Sequence, residues 1–320
     1  MIGQRRDATR GPARPTKRET DSEKQEGRTR NVLPSFVKLS HCRQNYMPVK
    51  NTCFDDNRIA LFEHLRSELD RHNFKDLPAK KNDKFLPFFE SYFSNFIEGN
   101  EFDVSEASDI IFNGIIPEDR PEDALDILST WQLVSEEVDL ATLATTPEEF
   151  LDLICSRHAI LLEAWPRKNP GEFKTRANRS GNTSFVAPDL VRGTLMRGFD
   201  MLDSIRQPMA RAIFIMFLIA EVHPFTDGNG RIARVQMNAE LCAAGQERII
   251  IPPGLKSAYL QALRSLTHDM KAEPIINTLA FAQNLVHGID FSDCESAIAV
   301  LKTGGAFSGF EWVLRTSGRK

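Results

Sequence analysis

Apolar residues recur along most of this chain at helical rather than strand spacing. The stretch IALFEHLRSELDRH places Leu61, Leu65 and Leu69 at i, i+4 and i+8, a stripe that predicts an amphipathic helix facing a core. KFLPFFESYFSNFIEGN follows, dense in phenylalanine, with Gly99 suited to a helix C-terminus. EDALDILSTWQLV and PEEFLDLICSRHAILLEAW predict two more helices. The second is introduced by Thr146, Pro147, Glu148 and Glu149, residue types that favour a helix N-terminus. DLVRGTLMRGFDML and RQPMARAIFIMFLIAEV continue the pattern, and the latter is apolar nearly all round, as expected of a central helix. SAYLQALRSL and NTLAFAQNLVHGI close the series. One stretch differs. GEFKTRANRSGNTSFVAP has short runs at 173–177 and 183–186 separated by turn-forming residues, which predicts a β-hairpin. The expected fold class is all-α, a helical bundle with one small hairpin.

Residues 1–45 break the pattern: Arg, Lys, Glu, Ser, Thr and Pro crowd together with almost nothing to bury, which predicts a disordered polar and basic tail. The rest divides, as expectations, into an N-terminal helical region (46–140), a core domain (141–288) and a C-terminal tail (289–320). Composition adds mainly exclusions. A formal net charge of −4 gives no whole-chain case for nucleic acid. Acidic residues within the tail dilute a nucleic-acid arm or transit-peptide reading of its arginines. Ala212–Ala220 is the longest apolar run, far short of the roughly 20 residues that cross a bilayer, so no membrane association is expected. Five scattered cysteines form no CxxC pair; neither a disulfide framework nor a zinc site is expected, and a cytoplasmic location is the simplest expectation.

The candidate chemistry lies just after the central helix, in His223-Pro224-Phe225-Thr226-Asp227-Gly228-Asn229-Gly230-Arg231-Ile232-Ala233-Arg234. Gly228 and Gly230 allow positive φ and close approach to a ligand. A helix expected to start near Arg231 turns its free N–H groups toward the loop, a ready anion site. Arg231 and Arg234, three apart, can face one polyanion. Asp227 is a hard oxygen donor suited to a Mg²⁺ shared with phosphates, and His223 can accept a proton near neutral pH. Each part alone has a plainer explanation: a surface histidine, an everyday Gly-Asn-Gly turn, a capping aspartate, a solvated pair of arginines. Their joint presence within one short segment is what favours a phosphate site. There is no GxxxxGK[ST] loop and no HRD or DFG set, so P-loop and protein-kinase readings lack their parts.

HPFTDGNGRIAR resembles the complete signature of the Fic family, and the resemblance extends over about residues 85–285. It implies a Fic-type helical core with a hairpin flap that binds the target. It also implies a protein adenylyltransferase: AMP passes from ATP to a Ser, Thr or Tyr hydroxyl of another protein. By position, His223 would be the base and Phe225 would pack inward to fix the loop. Asp227 would hold Mg²⁺, and Gly228, Asn229 and Gly230 would cradle the anion. Arg231 would help bind phosphates and Arg234 would meet the γ-phosphate. The branch of the family that phosphorylates its targets carries Lys where this chain has Gly228, which favours nucleotide transfer, with ATP as the default donor. Upstream, Ser94-Asn95-Phe96-Ile97-Glu98-Gly99 resembles the family's inhibitory motif; Ser94 and Glu98 lie one turn apart on one helix face, and Gly99 ends the helix. The resemblance implies that Glu98 pairs with Arg234 and takes the γ-phosphate's place, or that it orients a water to remove AMP. Thr175, Arg176 and Ala177 are the expected edge for a target segment, and Asn238 and Tyr259 are adenine candidates by position alone. Family members often form homodimers. The competing readings are an AMP-removing phosphodiesterase and a nucleotide-binding regulatory module without turnover.

Overall fold

The computed structural model describes residues 53–307; the tail expected over 1–45 and the last residues, 308–320, lie outside them. Helices dominate. They run α1 (Asp56–Asp70), α2 (Leu86–Ile97), α3 (Val104–Ser108), α4 (Pro121–Ser135), α5 (Glu137–Leu140), α6 (Pro147–Leu161), α7 (Val191–Asp200), α8 (Pro208–Val222), α9 (Asn229–Ala243), α10 (Pro253–Asp269), α11 (Glu273–His287) and α12 (Cys294–Thr303). The fold is all-α with one two-stranded antiparallel hairpin. No helix among the described residues is long and apolar enough to cross a membrane.

Local chemistry starts several of these helices. Asp55 Oδ1 accepts from the N–H groups of Asn57 and Arg58 at 3.1 and 3.2 Å, capping α1. Thr146 does the same for α6 by accepting from Glu149 N, with Pro147 in the first turn. α8 is the apolar centre: from Ala212 to Ile219 every residue is buried. Its broad face packs along α9, and their junction is the loop of residues 223–228.

Two hydrophobic clusters surround this pair. The larger gathers Phe62 of α1, Val134 of α4, Ile154 of α6 and Phe214 of α8, so helices on both sides of residue 140 share one core. The smaller is built from Phe88, Phe89, Tyr92 and Phe93 of α2 with Phe102, Phe291 and Leu301. The segment expected as a tail after Gly288 thus contains α12. Its N-cap Asp293 accepts from Ser296 N at 2.8 Å, and its Ala297 and Leu301 complete the second core. Helix α2 is covered nearly all round. Phenylalanines fill the second core while Ser94 and Asn95 turn toward α9.

The hairpin is shorter than its sequence pattern predicts. β1 (Arg179–Ser180) pairs with β2 (Thr183–Ser184), Arg179 opposite Ser184, around a two-residue turn in which Gly181 takes φ 54°. Residues 173–177 are not a strand; Thr175 and Arg176 form a bend. The cause is competition: Lys174 N donates to Pro224 O at 2.8 Å, so the backbone there is tied to the loop after α8 and not to a strand partner.

Candidate active site

His223 ends α8 in the left-handed region, φ 52° and ψ 58°, with its N–H still bonded to Ile219 O. This conformation is unusual for a residue with a side chain, and it turns the chain sharply into the loop. The imidazole stacks on Phe185, ring centroids 3.8 Å apart. Its Nδ1 lies 3.1 Å from Ala220 O. A carbonyl can only accept, so Nδ1 carries the hydrogen and Nε2 keeps its lone pair. Burial pushes the imidazole down to about 4; the Ala220 bond and the charges of Glu98 and Asp227 pull the other way, while Lys174 adds to the depression. At neutral pH this is an uncharged base.

Phe225 is fully buried and stacks on His158 at 3.7 Å. The Asn229 side chain spans it, accepting from Phe225 N at 2.8 Å and donating to Phe225 O at 3.0 Å. Asn229 therefore pins the loop with its amide and offers the anion site only its backbone. His158 supports the loop from behind: Gly171 N donates to Nδ1, so Nε2–H donates to Asp227 O at 3.0 Å. Burial pushes this imidazole to about 4 as well, against the pull of the Asp227 bond.

Asp227 presents its carboxylate at the loop's tip. Oδ1 accepts from Gly228 N and Oδ2 from Lys168 Nζ, both at 2.7 Å. Burial raises the carboxyl, but the Lys168 bond, the Gly228 N–H and the charges of Lys168 and Arg231 outweigh it and hold the group below its ordinary value. Among the described residues no group of three or more His, Cys, Asp and Glu side chains converges to hold a metal. A lone ionised carboxylate beside an anion cradle suits Mg²⁺ shared with phosphates and waters, and does not suit an all-protein cage.

Helix α9 begins at Asn229, two residues earlier than the sequence predicts. Gly228 takes φ 72° as its N-cap, and a Cβ there would lie 3.2 Å from Leu161 Cδ2. Gly230 is different: its backbone is helical, and it is space that demands glycine. A Cβ at Gly230 would overlap Glu98 Oε1 and approach Arg234 Nη1 at 3.1 Å. The Glu98 carboxylate therefore rests on the first turn of α9, where the N–H groups ahead of the Ile232 N to Gly228 O bond lack helical partners and attract negative charge. Arg234, 5% exposed, holds it there: Nη2 donates to Glu98 Oε1 at 2.7 Å and to Ser94 O at 2.9 Å, and Nε donates to Ser94 Oγ at 2.9 Å. Gly99, φ 100°, ends α2 just beyond.

Other sequence candidates are engaged elsewhere. Arg231 does not stand free beside Arg234; it is buried against Asp126, Nη1 to Oδ2 2.8 Å, with Asn95 Oδ1 at 3.3 Å. Asn238 is fully buried, and its amide closes a pair of 2.8 Å bonds with the backbone of Ile249. Tyr259 is 1% exposed and donates its hydroxyl to Met216 Sδ. Both are buried and hydrogen-bonded within the protein, Asn238 also with Glu90, while Tyr259 lies against Arg234. Sequence reasoning missed Lys168, His158, Asp126 and Phe185. These residues meet the loop only through the fold, and no local pattern marks them.

A buried helical pair, α8 and α9, is thus joined by a glycine-bearing loop with an uncharged histidine at its entrance. The Fic/DOC family model matches residues 148–241, from α6 through most of α9. The protein adenylyltransferase Fic of Drosophila willistoni is 24% identical over 253 residues, covering 78% of this chain and 50% of that relative. Its namesake in Drosophila melanogaster is 23% identical over 255 residues, with 78% and 51% covered. The chain thus spans about half the length of the curated relatives it matches. Among solved structures, Fic-1 (residues 134–508) of C. elegans superposes with TM-score 0.56 at 21% identity, covering 77% of this chain and 72% of that one. A Fic-domain-containing signaling protein of Bacteroides thetaiotaomicron gives 0.56 at 20% identity, covering 76% and 97%. These likenesses establish the shared fold.

Proposed function

We propose that this chain is a protein adenylyltransferase that moves AMP from ATP to a hydroxyl of a target protein, and that Glu98 restrains it. The observation carrying this reading is the Glu98 carboxylate set on Gly230 and Arg234 at the start of α9, beside an uncharged His223. The names of the curated relatives support the choice of AMP transfer. In the reaction, His223 Nε2 takes the proton from the target hydroxyl as its oxygen bonds to the α-phosphorus of ATP. The bond to the β-phosphate bridging oxygen breaks, and pyrophosphate leaves. Free N–H groups of α9's first turn face the charge that develops on the transferred phosphoryl oxygens. Asp227 would hold Mg²⁺, which when bound neutralises phosphate charge. Arg231, anchored on Asp126, adds positive charge at the cradle's base, and Arg234 would meet the γ-phosphate once Glu98 leaves it. Both anions compete for one arginine, so an engaged Glu98 misplaces the triphosphate; small misplacements cost orders of magnitude in rate.

A second reading has a specific basis. Glu98 bonds Arg234 through Oε1, and its side chain is 37% exposed, which leaves room for the carboxylate to hold a water for AMP removal. One experiment addresses both. Wild type, Glu98→Gly and His223→Ala are incubated with Mg²⁺ and α-labelled ATP, and label on protein is followed. Strong labelling by Glu98→Gly, weak by wild type, none by His223→Ala and none after chelation is the expected result. No label from any variant with any nucleotide sinks the transferase reading. Loss of AMP from a pre-modified target, dependent on Glu98, would support removal.

A further inference from the structure

The loop that carries His223 is held by a neighbour outside the signature segment. Four successive carbonyls, those of residues 222–225, all accept from two residues of the bend before the hairpin. Lys174 Nζ donates to Val222 O at 3.3 Å, and Lys174 N to Pro224 O at 2.8 Å. Asn178 Nδ2 reaches His223 O at 3.3 Å and Phe225 O at 3.0 Å. The two side chains are joined, Lys174 Nζ donating to Asn178 Oδ1 at 2.7 Å. Lys174 is only 4% exposed, an uncommon place for an ammonium. The C-terminus of α8 explains it: the last carbonyls of a helix lack helical donors and carry partial negative charge. The same residues lead directly into β1, so these bonds tie the hairpin to the loop that carries His223.

We propose that Lys174 and Asn178 are positioning residues, a clamp that holds His223 in its left-handed conformation and fixes the distance between the hairpin and the base. The proposal rests on the transferase reading for its rate consequences. A left-handed histidine is strained, and the bonds to the carbonyls on both sides of it are what over-determine that conformation. Lys174 also places a positive charge near the imidazole, opposed by Glu98 from α2 and Asp227 from the loop itself. Burial, followed by the charge of Arg58, pushes Lys174 down to about 8, so it remains largely protonated at neutral pH.

The test combines rate and titration. In the Glu98→Gly background, Lys174→Met and Asn178→Ala are expected to slow labelling from saturating α-labelled ATP by at least about tenfold. The ATP concentration for half-maximal rate should stay within about twofold, and Lys174→Arg should restore most of the rate. In the otherwise wild-type protein, the His223 ring proton followed by NMR should titrate at higher pH in Lys174→Met than in the parent, because a repelling charge has gone. A residue that merely supported the fold would lower the melting temperature without moving that titration. If Lys174→Met and Asn178→Ala both label within about twofold of their parent and His223 titrates unchanged, the clamp is wrong. Should Lys174→Met not fold, the Asn178→Ala rate decides. Should Glu98→Gly itself transfer nothing, the transferase reading has failed, and the titration still decides the clamp.

Discussion

Replacing Gly230 by alanine sets two effects of known sign against each other. Its backbone is helical, so alanine should stabilise α9 by about 0.5–1 kcal/mol through lost unfolded-state freedom. The added Cβ, however, would overlap Glu98 Oε1. That oxygen ends a flexible, 37% exposed side chain, so the carboxylate yields before the helix does, and the 2.7 Å bond to Arg234 is lost. A charge-assisted bond at this half-open position is worth about 1–2 kcal/mol after screening, and Arg234 keeps both of its bonds to Ser94. Glu98→Ala alone should therefore cost about 1–2 kcal/mol. Gly230→Ala in the wild type should be neutral or cost up to about 1.5 kcal/mol, whereas in Glu98→Ala it should stabilise by about 0.5–1 kcal/mol. Urea unfolding of the four proteins, at unchanged m-value, measures the cycle. Equal effects of Gly230→Ala in both backgrounds, within about 0.3 kcal/mol, would refute the contact between Glu98 and the α9 N-terminus.

Three further outcomes follow from the same geometry. Asp126→Ala leaves the buried Arg231 guanidinium with only Asn95 and should cost about 3–5 kcal/mol in chemical denaturation; a loss under about 1 kcal/mol would mean the pair is not needed. Gly228→Ala forces a side chain into φ 72° against Leu161 and should cost about 1–2 kcal/mol, read as a lower melting temperature. Stability should fall on acidification, because the unfolded chain binds protons at its histidines near pH 6.5 while the folded chain resists until about 4. His223→Ala should flatten the slope of stability against pH near pH 5 by about 1 kcal/mol per pH unit, leaving His158 to supply its own share; an unchanged slope would contradict a buried, uncharged His223.

The helices were legible because their signals are local: the leucine stripe of α1, the Thr146–Glu149 start of α6, the unbroken apolar run of α8. The glycine-bearing turn and the helix start after it were legible for the same reason, lying within one loop and one helix turn. What escaped lies across the fold. Lys168 meets Asp227 from 59 positions away, and nothing in Pro166–Lys168 advertises it. Arg231 and Arg234 are equivalent by spacing, yet Asp126 takes one and Glu98 the other. Gly230 looked like a residue chosen for backbone freedom, but its reason is a carboxylate on the neighbouring helix. The strand pattern of 173–177 misled because Lys174 and Asn178 spend their hydrogen bonds on the α8–α9 loop, a competitor that periodicity does not register.

Helix α2 has its phenylalanines sunk in the second core and its last turn set against the start of α9. Lifting the whole helix away would expose that aromatic cluster to water, whereas swinging the Glu98 side chain needs only a change of rotamer. On the proposed function, the restraint is then a fast equilibrium, on the picosecond-to-nanosecond scale of exposed side chains, with no slow gate to open. A preference of about 1–2 kcal/mol leaves roughly one molecule in six to one in thirty with Arg234 released at any instant. Basal turnover would be a leak that starts from that population and rises continuously with triphosphate concentration.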